Sequence, residues 1–339
     1  MDKILILDIY KKSNFRQSKD TNGGFGTENN LGSGMFANAL SRIANYSTFW
    51  PTLSSLNLMS ELLYYGHEVS YSNSYDDIDD SVHFVFVQSS IINFNHEINL
   101  IKVINKNYKK IKIFSFGPFA STLTNDYLLA GSSVINGEAE FLSQNYDLGK
   151  LNKIHEKKII NIINNNPDEL SDPLWTSLKL PKMRNFIFSG SFGQTVPIIA
   201  SRGCPYSCFE YCTYPLAQGR KVRGVDVDKI YLDIKYINKK TGALNFVFRD
   251  PVFSINKKYT YKLLDRLSSL PDNFSFSIET HLNNINEDLI NAMKFGRINL
   301  IKFGIESASK EVMNDVSRYS IKHDEEIYRI NLIKKNKIK

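Results

Sequence analysis

Hydrophobic residues in the first part of the chain form short apolar runs separated by stretches with helical spacing. The runs at 3–8 and 82–87 are almost wholly apolar, which is typical of parallel strands buried on both faces. Leucine and methionine recur at helical spacing from 53 to 65, and Gly66 is suited to end that helix. The predicted strands lie at 3–8, 68–71, 82–87, 112–116 and 133–136. This alternation predicts an α/β fold, with a doubly wound, Rossmann-like parallel sheet over residues 1–145.

The alternation stops between residues 146 and 194, where asparagine, proline and other polar residues predominate, and we interpret this segment as a linker. It resumes with four predicted strand–helix units over residues 195–339. Their strands lie at 196–200, 244–248, 274–278 and 300–304. Polar or charged residues follow each strand, and in β/α barrels that end of the strand carries the catalytic residues. The second half is therefore predicted to be a partial (β/α) barrel, truncated after four units.

Composition excludes several classes of protein. The chain is 42% hydrophobic and 23% charged, so it has enough apolar surface to fold. It has no apolar run of about 18 residues, so we expect no membrane span. The net charge is +7, but no recognition motif accompanies the basic residues, so we expect no nucleic-acid partner. Three cysteines cannot form a disulfide framework, and this predicts a reducing, cytoplasmic location.

All three cysteines lie in one short segment, at Cys204, Cys208 and Cys212. They could share one face of a buried helix, but Gly203 and Pro205 argue against a helix there. A closed zinc site needs four protein ligands, and the chain has no fourth cysteine and no histidine within forty residues. Three thiolates on a cubane iron–sulfur cluster would leave one iron open to a small molecule. We favour this last interpretation of the segment.

The cysteine segment resembles the cluster loop of radical S-adenosylmethionine (radical SAM) enzymes. The matching residues are Ser-Arg-Gly-Cys-Pro-Tyr at 201–206 and Tyr-Cys-Thr-Tyr-Pro at 211–215. The common family spacing is C-x3-C-x2-C, whereas this chain has one extra residue before Cys212. Similar loops, followed by Gln-Gly-Arg as at 218–220, occur in cobalamin-associated members. The resemblance implies a [4Fe-4S] cluster held by Cys204, Cys208 and Cys212, with the open iron binding SAM.

The resemblance also implies contacts to SAM at the ends of the predicted strands. Tyr211 would lie beside the adenine, and Asp250 would face the methionine amino group. Glu279 follows the third strand of this half and would be a further contact. Glu306 and Ser307, within Gly-Ile-Glu-Ser, would face the ribose or the methionine carboxylate. Each acid taken alone is most often a turn or cap residue, so the hypothesis depends on their recurrence.

The first half is similar to the cobalamin-binding domain that precedes many radical SAM cores. The similarity lies in Gly-Pro-Phe-Ala-Ser at 117–121 and Val-Ile-Asn-Gly-Glu-Ala-Glu at 134–140. It implies cobalamin contacts at Gly117, Pro118, Gly137 and Glu138, with the glycines letting the backbone approach the corrin. The alternative is that both glycines serve simple turns. Because Asp-x-His-x-x-Gly is absent, no protein imidazole is expected below the cobalt.

The implied function is that of a radical SAM enzyme that cleaves SAM with its cluster and, with cobalamin, methylates an unactivated carbon. The resemblance further implies a small-molecule or peptide substrate and an electron donor such as a flavodoxin or ferredoxin. Two alternatives stay open. One is another radical outcome, such as rearrangement or methylthio transfer. The other is a non-catalytic iron–sulfur or cobalamin-binding protein, because the family core usually has about six strand–helix units.

Overall fold

The computed structural model describes residues 1–11, 16–19, 27–29, 31–47, 52–173, 195–206, 208, 212–318 and 321–339. The described residues form two compact units. One comprises residues 1–173 and 216–218, and the other comprises residues 195–215 and 219–339. None of the helices in these ranges combines the length and the apolar character that a membrane crossing requires.

The first unit is built on a six-stranded parallel sheet. The strands described in this unit, inside and outside that sheet, are β1 (Lys3–Leu7), β2 (Arg16–Ser18), β3 (Thr27–Asn29), β4 (Glu68–Ser72), β5 (Phe84–Gln88), β6 (Lys112–Phe116), β7 (Ser133–Asn136) and β8 (Ile159–Asn161). The order in the sheet is β4-β1-β5-β6-β7-β8, whereas β2 and β3 form a separate antiparallel pair. The helices are α1 (Met35–Ser47), α2 (Leu53–Tyr64), α3 (Phe94–Asn107), α4 (Pro118–Thr122), α5 (Thr124–Ala130) and α6 (Leu151–Glu156).

Both faces of this sheet are buried, which explains the near-continuous apolar strands. Phe86 stacks on Phe114 on one face, with ring centroids 4.6 Å apart, while Val85 and Ile113 belong to a second cluster on the other face. Thr52 caps the N-terminus of helix α2, where its side chain accepts a hydrogen bond from Ser55 N. The predicted doubly wound α/β sheet is confirmed.

The sheet differs from the prediction at its far edge. Strand β8 and helix α6 lie within residues 146–194, which the sequence assigns to a linker. Ile160 is fully buried, and β8 pairs in parallel with β7. The strand has only three residues and follows two lysines, so it carries too short a pattern to be recognised. The rest of the predicted linker, residues 174–194, lies outside the described residues.

The second unit contains a four-stranded parallel sheet in the order β14-β13-β12-β9. The strands are β9 (Thr195–Ile198), β10 (Ser201–Arg202), β11 (Arg223–Gly224), β12 (Asn245–Phe248), β13 (Ser275–Glu279) and β14 (Ile298–Lys302). The helices are α7 (Tyr214–Gln218), α8 (Val227–Thr241), α9 (Lys257–Ser268), α10 (Glu287–Phe295), α11 (Lys310–Asp315) and α12 (His323–Lys335). The four strand–helix units of a partial barrel are therefore present as predicted.

The outer edge of β14 is paired with the last residue of the chain. Lys339 N donates to Asn299 O at 2.9 Å, and Ile301 N donates to Lys339 O at 2.8 Å. This is the hydrogen-bond pattern of a parallel bridge. Ile338, just before it, is buried, as is Ile301.

Candidate functional site

The cysteine segment is a loop whose two ends are held together at the carboxyl end of β9. Strands β10 and β11 pair antiparallel and close the loop over residues 203–222. Within it, Cys204 N donates to Gly219 O at 3.1 Å. Gly203 has φ +86°, and a Cβ there would overlap the carbonyl oxygen of Lys221. Only glycine fits this position, so the entry to the loop is fixed by close backbone packing.

All three cysteines belong to this loop. Cys204 is buried, and Cys208 and Cys212 are half-buried. Burial raises the pKa of the Cys204 thiol, a hydrogen bond from the Tyr206 backbone opposes this, and the charges of Cys212 and Cys208 raise it further. Among the residues described, no group of three or more His, Cys, Asp or Glu side chains is arranged to hold a metal ion.

Arg318 places a cation against the cysteine loop, and no motif in the sequence marks this residue. Its Nη1 donates to Cys208 Sγ at 3.5 Å, and its Nη2 donates to Gly304 O at 3.1 Å. The same Nη2 lies 3.4 Å from Glu306 Oε1. Its charge acts to lower the pKa of Cys212, against the burial that raises that pKa. A cation at this point favours thiolates, which are the form that binds metals.

A buried histidine also packs on the loop and was missed by sequence reasoning. The ring of His281, which follows β13, lies 5.1 Å from the ring of Tyr206. Burial, followed by the charges of Arg318 and Arg329, lowers the pKa of His281 to about 4. The Tyr206 hydroxyl donates to Asn284 Oδ1 at 3.4 Å. The loop is therefore packed against the end of β13 by a neutral imidazole.

Asp250, which follows β12, bonds to the base of the cysteine loop. Its carboxylate accepts hydrogen bonds from Ala200 N at 2.8 Å and from Ser201 Oγ at 2.7 Å. The residue is 1% exposed. Burial raises the pKa of Asp250 to about 6, although these hydrogen bonds oppose the shift. Both carboxylate oxygens are thus engaged by the chain itself.

The remaining predicted SAM contacts lie at strand ends in the same unit. Glu279 ends β13, where its carboxylate is 3.7 Å from Arg249. Glu306 is exposed and adopts φ +65°, a left-handed conformation that is uncommon for a residue with a side chain. Ser307 Oγ accepts a hydrogen bond from Ser309 N at 3.1 Å. Arg318 connects Glu306 to Cys208, whereas Tyr211 lies outside the described residues.

In the first unit, two glycine turns lie at the carboxyl edge of the sheet, where doubly wound sheets bind ligands. Gly117 follows β6 with φ +103°, and a Cβ there would lie 2.9 Å from both Gln88 Nε2 and Ser89 Oγ. Gly137 follows β7 with φ +110°, and its Cβ would lie 3.1 Å from Ile162 Cβ. Both turns therefore need glycine for the packing of this chain itself.

A serine hydroxyl joins the two turns. Gly137 N donates to Ser121 Oγ at 3.0 Å, and Ser121 Oγ donates to Gly117 O at 3.2 Å. Pro118 is buried at the start of α4. Glu138 is 9% exposed, and its carboxylate accepts from Asn165 Nδ2 at 3.3 Å. The four residues predicted for cobalamin thus lie in adjacent turns at one edge of the sheet.

A buried ion cluster lies next to these turns, at the carboxyl ends of β1 and β5. Lys19 Nζ is 3.1 Å from Asp8 Oδ1 and 3.1 Å from Glu97 Oε1, and all three side chains are fully buried. Tyr71 and Tyr127 donate to the remaining oxygens of Asp8 and Glu97. Although burial acts to lower the pKa of Lys19, Glu97 and Asp8 raise it overall. The cluster fills this part of the edge with paired charges.

The structural comparison covers almost the whole chain. It superposes on TsrM from Kitasatospora setae, a radical SAM methyltransferase solved with cobalamin and a [4Fe-4S] cluster, with TM-score 0.61, 13% identity, and coverage of 100% of this chain and 66% of TsrM. The chain shares the fold of TsrM. OxsB, a cobalamin-dependent SAM radical enzyme, gives TM-score 0.64 at 12% identity and covers 99% of this chain and 48% of OxsB. The α/β fold that the resemblance implied is thereby confirmed.

The curated sequence relatives are named as methyltransferases or as a methylthiotransferase. They include an uncharacterized methyltransferase from Pyrococcus horikoshii, 28% identical over 45% of this chain and 32% of its own length. A putative methylthiotransferase from Methanocaldococcus jannaschii is 25% identical over 67% of this chain and 51% of its own length. Bacteriochlorophyllide d C-12(1)-methyltransferase from Chlorobaculum tepidum is 24% identical over 60% of this chain and 44% of its own length. No family model matches the chain.

The chain thus spans about a third to a half of the curated relatives it matches. Three cysteine thiols on one loop, with Arg318 against Cys208, are a donor set that suits an iron–sulfur cluster. The glycine turns at 117 and 137 lie at the sheet edge suited to cobalamin, although their conformation is explained by internal packing.

Proposed function

We propose that the chain is a radical SAM methyltransferase in which Cys204, Cys208 and Cys212 hold a [4Fe-4S] cluster. The observation that carries the proposal is the loop itself. It carries Cys204, Cys208 and Cys212 after the carboxyl end of β9, its base is closed by β10 and β11, and a guanidinium lies 3.5 Å from Cys208 Sγ. The methyltransferase relatives and the fold shared with TsrM and OxsB support the same reaction class.

The residues around the loop have distinct tasks in this proposal. Burial of Cys204 keeps water from one ligand, and the charge of Arg318 favours the thiolate state. His281 stays neutral near pH 7, so it adds no second positive charge beside Arg318. Glu279, Glu306 and Ser307 would contact SAM, as would Tyr211. When bound, the cluster and cobalamin supply electron transfer to SAM and the methyl group, and the chain supplies orientation and shielding.

The cobalamin part of the proposal concerns the first unit. Gly117, Pro118, Gly137 and Glu138 would contact cobalamin from the two turns that Ser121 joins. Support comes from their position at the carboxyl edge of a doubly wound sheet and from the cobalamin bound by TsrM. The sequence offers no Asp-x-His-x-x-Gly motif, so cobalamin would lack a protein imidazole below the cobalt.

Anaerobic reconstitution with iron and sulfide tests the cluster. The wild-type chain should take up about four irons, with broad visible absorbance. The triple variant Cys204→Ala, Cys208→Ala, Cys212→Ala should take up none, and a triple variant of surface serines provides the handling control. A colourless wild-type protein without bound iron would end the proposal.

Incubation of the reconstituted protein with SAM and a strong reductant tests turnover. Release of 5′-deoxyadenosine, dependent on the three cysteines, is expected from the radical enzyme. A stable cluster without SAM cleavage would instead indicate the non-catalytic binding protein. Product analysis then separates methyl transfer from rearrangement or methylthio transfer, once a small-molecule or peptide substrate is in hand. We propose a flavodoxin or ferredoxin as electron donor, and the cytoplasm as the location.

A further inference from the structure

A buried carboxylate and a half-buried tyrosine hydroxyl hold the peptide that leads into the cysteine loop. Ala200 lies four residues before Cys204, and both of its backbone polar groups are bonded. Its N–H donates to Asp250 Oδ1 at 2.8 Å. Its carbonyl oxygen accepts from Val225 N at 2.8 Å and lies 2.8 Å from the hydroxyl oxygen of Tyr259.

The Tyr259 hydroxyl reaches both ends of the loop. Its oxygen is also 2.7 Å from the carbonyl oxygen of Val225, just after β11. Its single hydrogen is therefore shared between the carbonyl entering the loop and the carbonyl leaving it. The ring fits closely, because a Cβ on Gly224 would lie 2.9 Å from Tyr259 Cε2.

Asp250 completes this clamp from the end of β12. One carboxylate oxygen accepts from Ala200 N and the other from Ser201 Oγ, so the residue fixes two consecutive positions. A buried carboxylate is costly unless its oxygens are satisfied, and here the loop base satisfies them. The clamp comprises Asp250, Ser201 and Tyr259.

We propose that Asp250 and Tyr259 are positioning residues for the three thiols, acting through the Ala200–Ser201 backbone rather than by touching SAM. The inference rests on the proposed cluster and gives Asp250 a different task from the amino-group contact that the resemblance implies. The clamp holds the ends of the loop at a fixed separation and thereby limits the positions open to Cys204 and the two later cysteines.

The first test uses the chain without cluster, so its outcome does not depend on the proposed function. Hydrogen exchange is measured at the amides of 200–204 in wild type, Asp250→Asn, Ser201→Ala and Tyr259→Phe. Loss of a hydrogen bond to a charged group should speed exchange at these amides by about tenfold or more in Asp250→Asn. Tyr261→Phe and Asp265→Asn, which alter exposed residues of the same helix as Tyr259, are the matched controls. Unchanged exchange in Asp250→Asn would overturn the inference.

The second test measures how firmly the reconstituted cluster is held. Release of iron to a chelator should be several-fold faster in Asp250→Asn, Ser201→Ala and Tyr259→Phe than in wild type. The double variant Ser201→Ala, Asp250→Asn should resemble the worse single variant, because both changes affect the bond between Ser201 Oγ and the Asp250 carboxylate. Leu263→Ala, which empties a buried position of α9, controls for a general loss of stability.

Each outcome of the second test is decisive. Faster iron release in the clamp variants but not in Leu263→Ala supports positioning. If the rate of iron release follows the melting temperature in all variants, Leu263→Ala included, the positioning role is overturned. Full iron retention with loss of only the SAM-induced spectral change would assign Asp250 to SAM instead. A wild-type chain that takes up no iron refutes the proposed function. The exchange measurement needs no cluster, so it tests the clamp separately.

Discussion

At the scale of single residues, Arg318 joins three groups of the candidate site. Its guanidinium bonds a cysteine sulfur, a backbone carbonyl and the Glu306 carboxylate while the side chain is only 12% exposed. This fork geometry is specific to arginine, because a lysine ammonium is a point charge. The residue therefore links the cysteine loop to the turn after β14 by shape as well as by charge.

Replacement of Arg318 separates these two contributions. Arg318→Ala should lower the free energy of unfolding by about 1–3 kcal/mol, since hydrogen bonds to charged groups are lost. It should also reduce iron uptake, because Cys208 and Cys212 lose their nearby cation. Arg318→Lys should restore uptake in part but not stability. Chemical denaturation and iron analysis measure both. The control is Arg266→Ala, which removes a part-exposed arginine of α9 that pairs with Asp228. Equal behaviour of the Ala and Lys variants would contradict a role for the charge.

His281 gives a pH dependence with a defined sign. Its pKa is about 4 in the fold, below the ordinary value of 6.5, because burial and then Arg318 and Arg329 disfavour the charged ring. A lowered histidine pKa means that the folded state is favoured above pH 6.5 and loses this advantage as pH falls towards 4. Wild type should therefore lose roughly 2 kcal/mol relative to His281→Asn between pH 7 and pH 5.

Urea unfolding of both proteins at the two pH values measures this difference. His96→Asn, which replaces an exposed histidine, is the control and should track wild type. A difference between wild type and His281→Asn that does not change with pH would show that the imidazole is not kept neutral in the folded chain.

At the scale of elements, strong periodic patterns were sufficient to predict most of the fold. The near-continuous apolar run that contains β5 predicted its burial on both faces, and the polar ends of β12, β13 and β14 were located correctly. Strands β8, β10 and β11 were not predicted, because two or three residues carry no measurable period. The loop closure by β10 and β11, on which the cysteine geometry depends, was therefore inaccessible to sequence reasoning.

The same limit applies to the site. The cysteines and the strand-end acids were found because residue type and spacing mark them. Arg318 and His281 were not, because their partners Cys208 and Tyr206 lie far away in sequence, 110 residues in the case of Arg318. Asp250 was singled out as a SAM contact, which stays a prediction, and only the structure shows its bonds to Ala200 and Ser201.

Strand β8 gives a prediction at the element scale. Ile160 is fully buried in the core of the first unit, so Ile160→Ala should cost about 2–5 kcal/mol of unfolding free energy through lost burial and a residual cavity. Ile163, two residues beyond the strand, is 80% exposed, and Ile163→Ala should change little. Chemical denaturation of both variants measures the difference. Equal, small effects would mean that residues 159–161 behave as a linker after all.

At the scale of the whole molecule, the candidate binding residues divide between the two units. The three cysteines, Arg318 and the Asp250 clamp belong to the second unit, whereas the joined turns at Gly117 and Gly137 belong to the first. Each unit has its own parallel sheet and buried residues. A ligand should therefore be held by contacts from one unit without needing the binding groups of the other.

Independent loading of the two cofactors follows from this division. The triple cysteine-to-alanine variant should lose iron but retain hydroxocobalamin in equilibrium dialysis, because no cysteine lies in the first unit's turns. Ser121→Ala should do the reverse. Removing the hydroxyl that bonds both turns should weaken cobalamin binding by about tenfold, as expected for the loss of two part-buried hydrogen bonds, while iron uptake stays at the wild-type level. Thr122→Ser, an adjacent change that preserves a hydroxyl, is the control. Loss of both cofactors in either variant would contradict the division, since the binding of each would then depend on groups of the other unit.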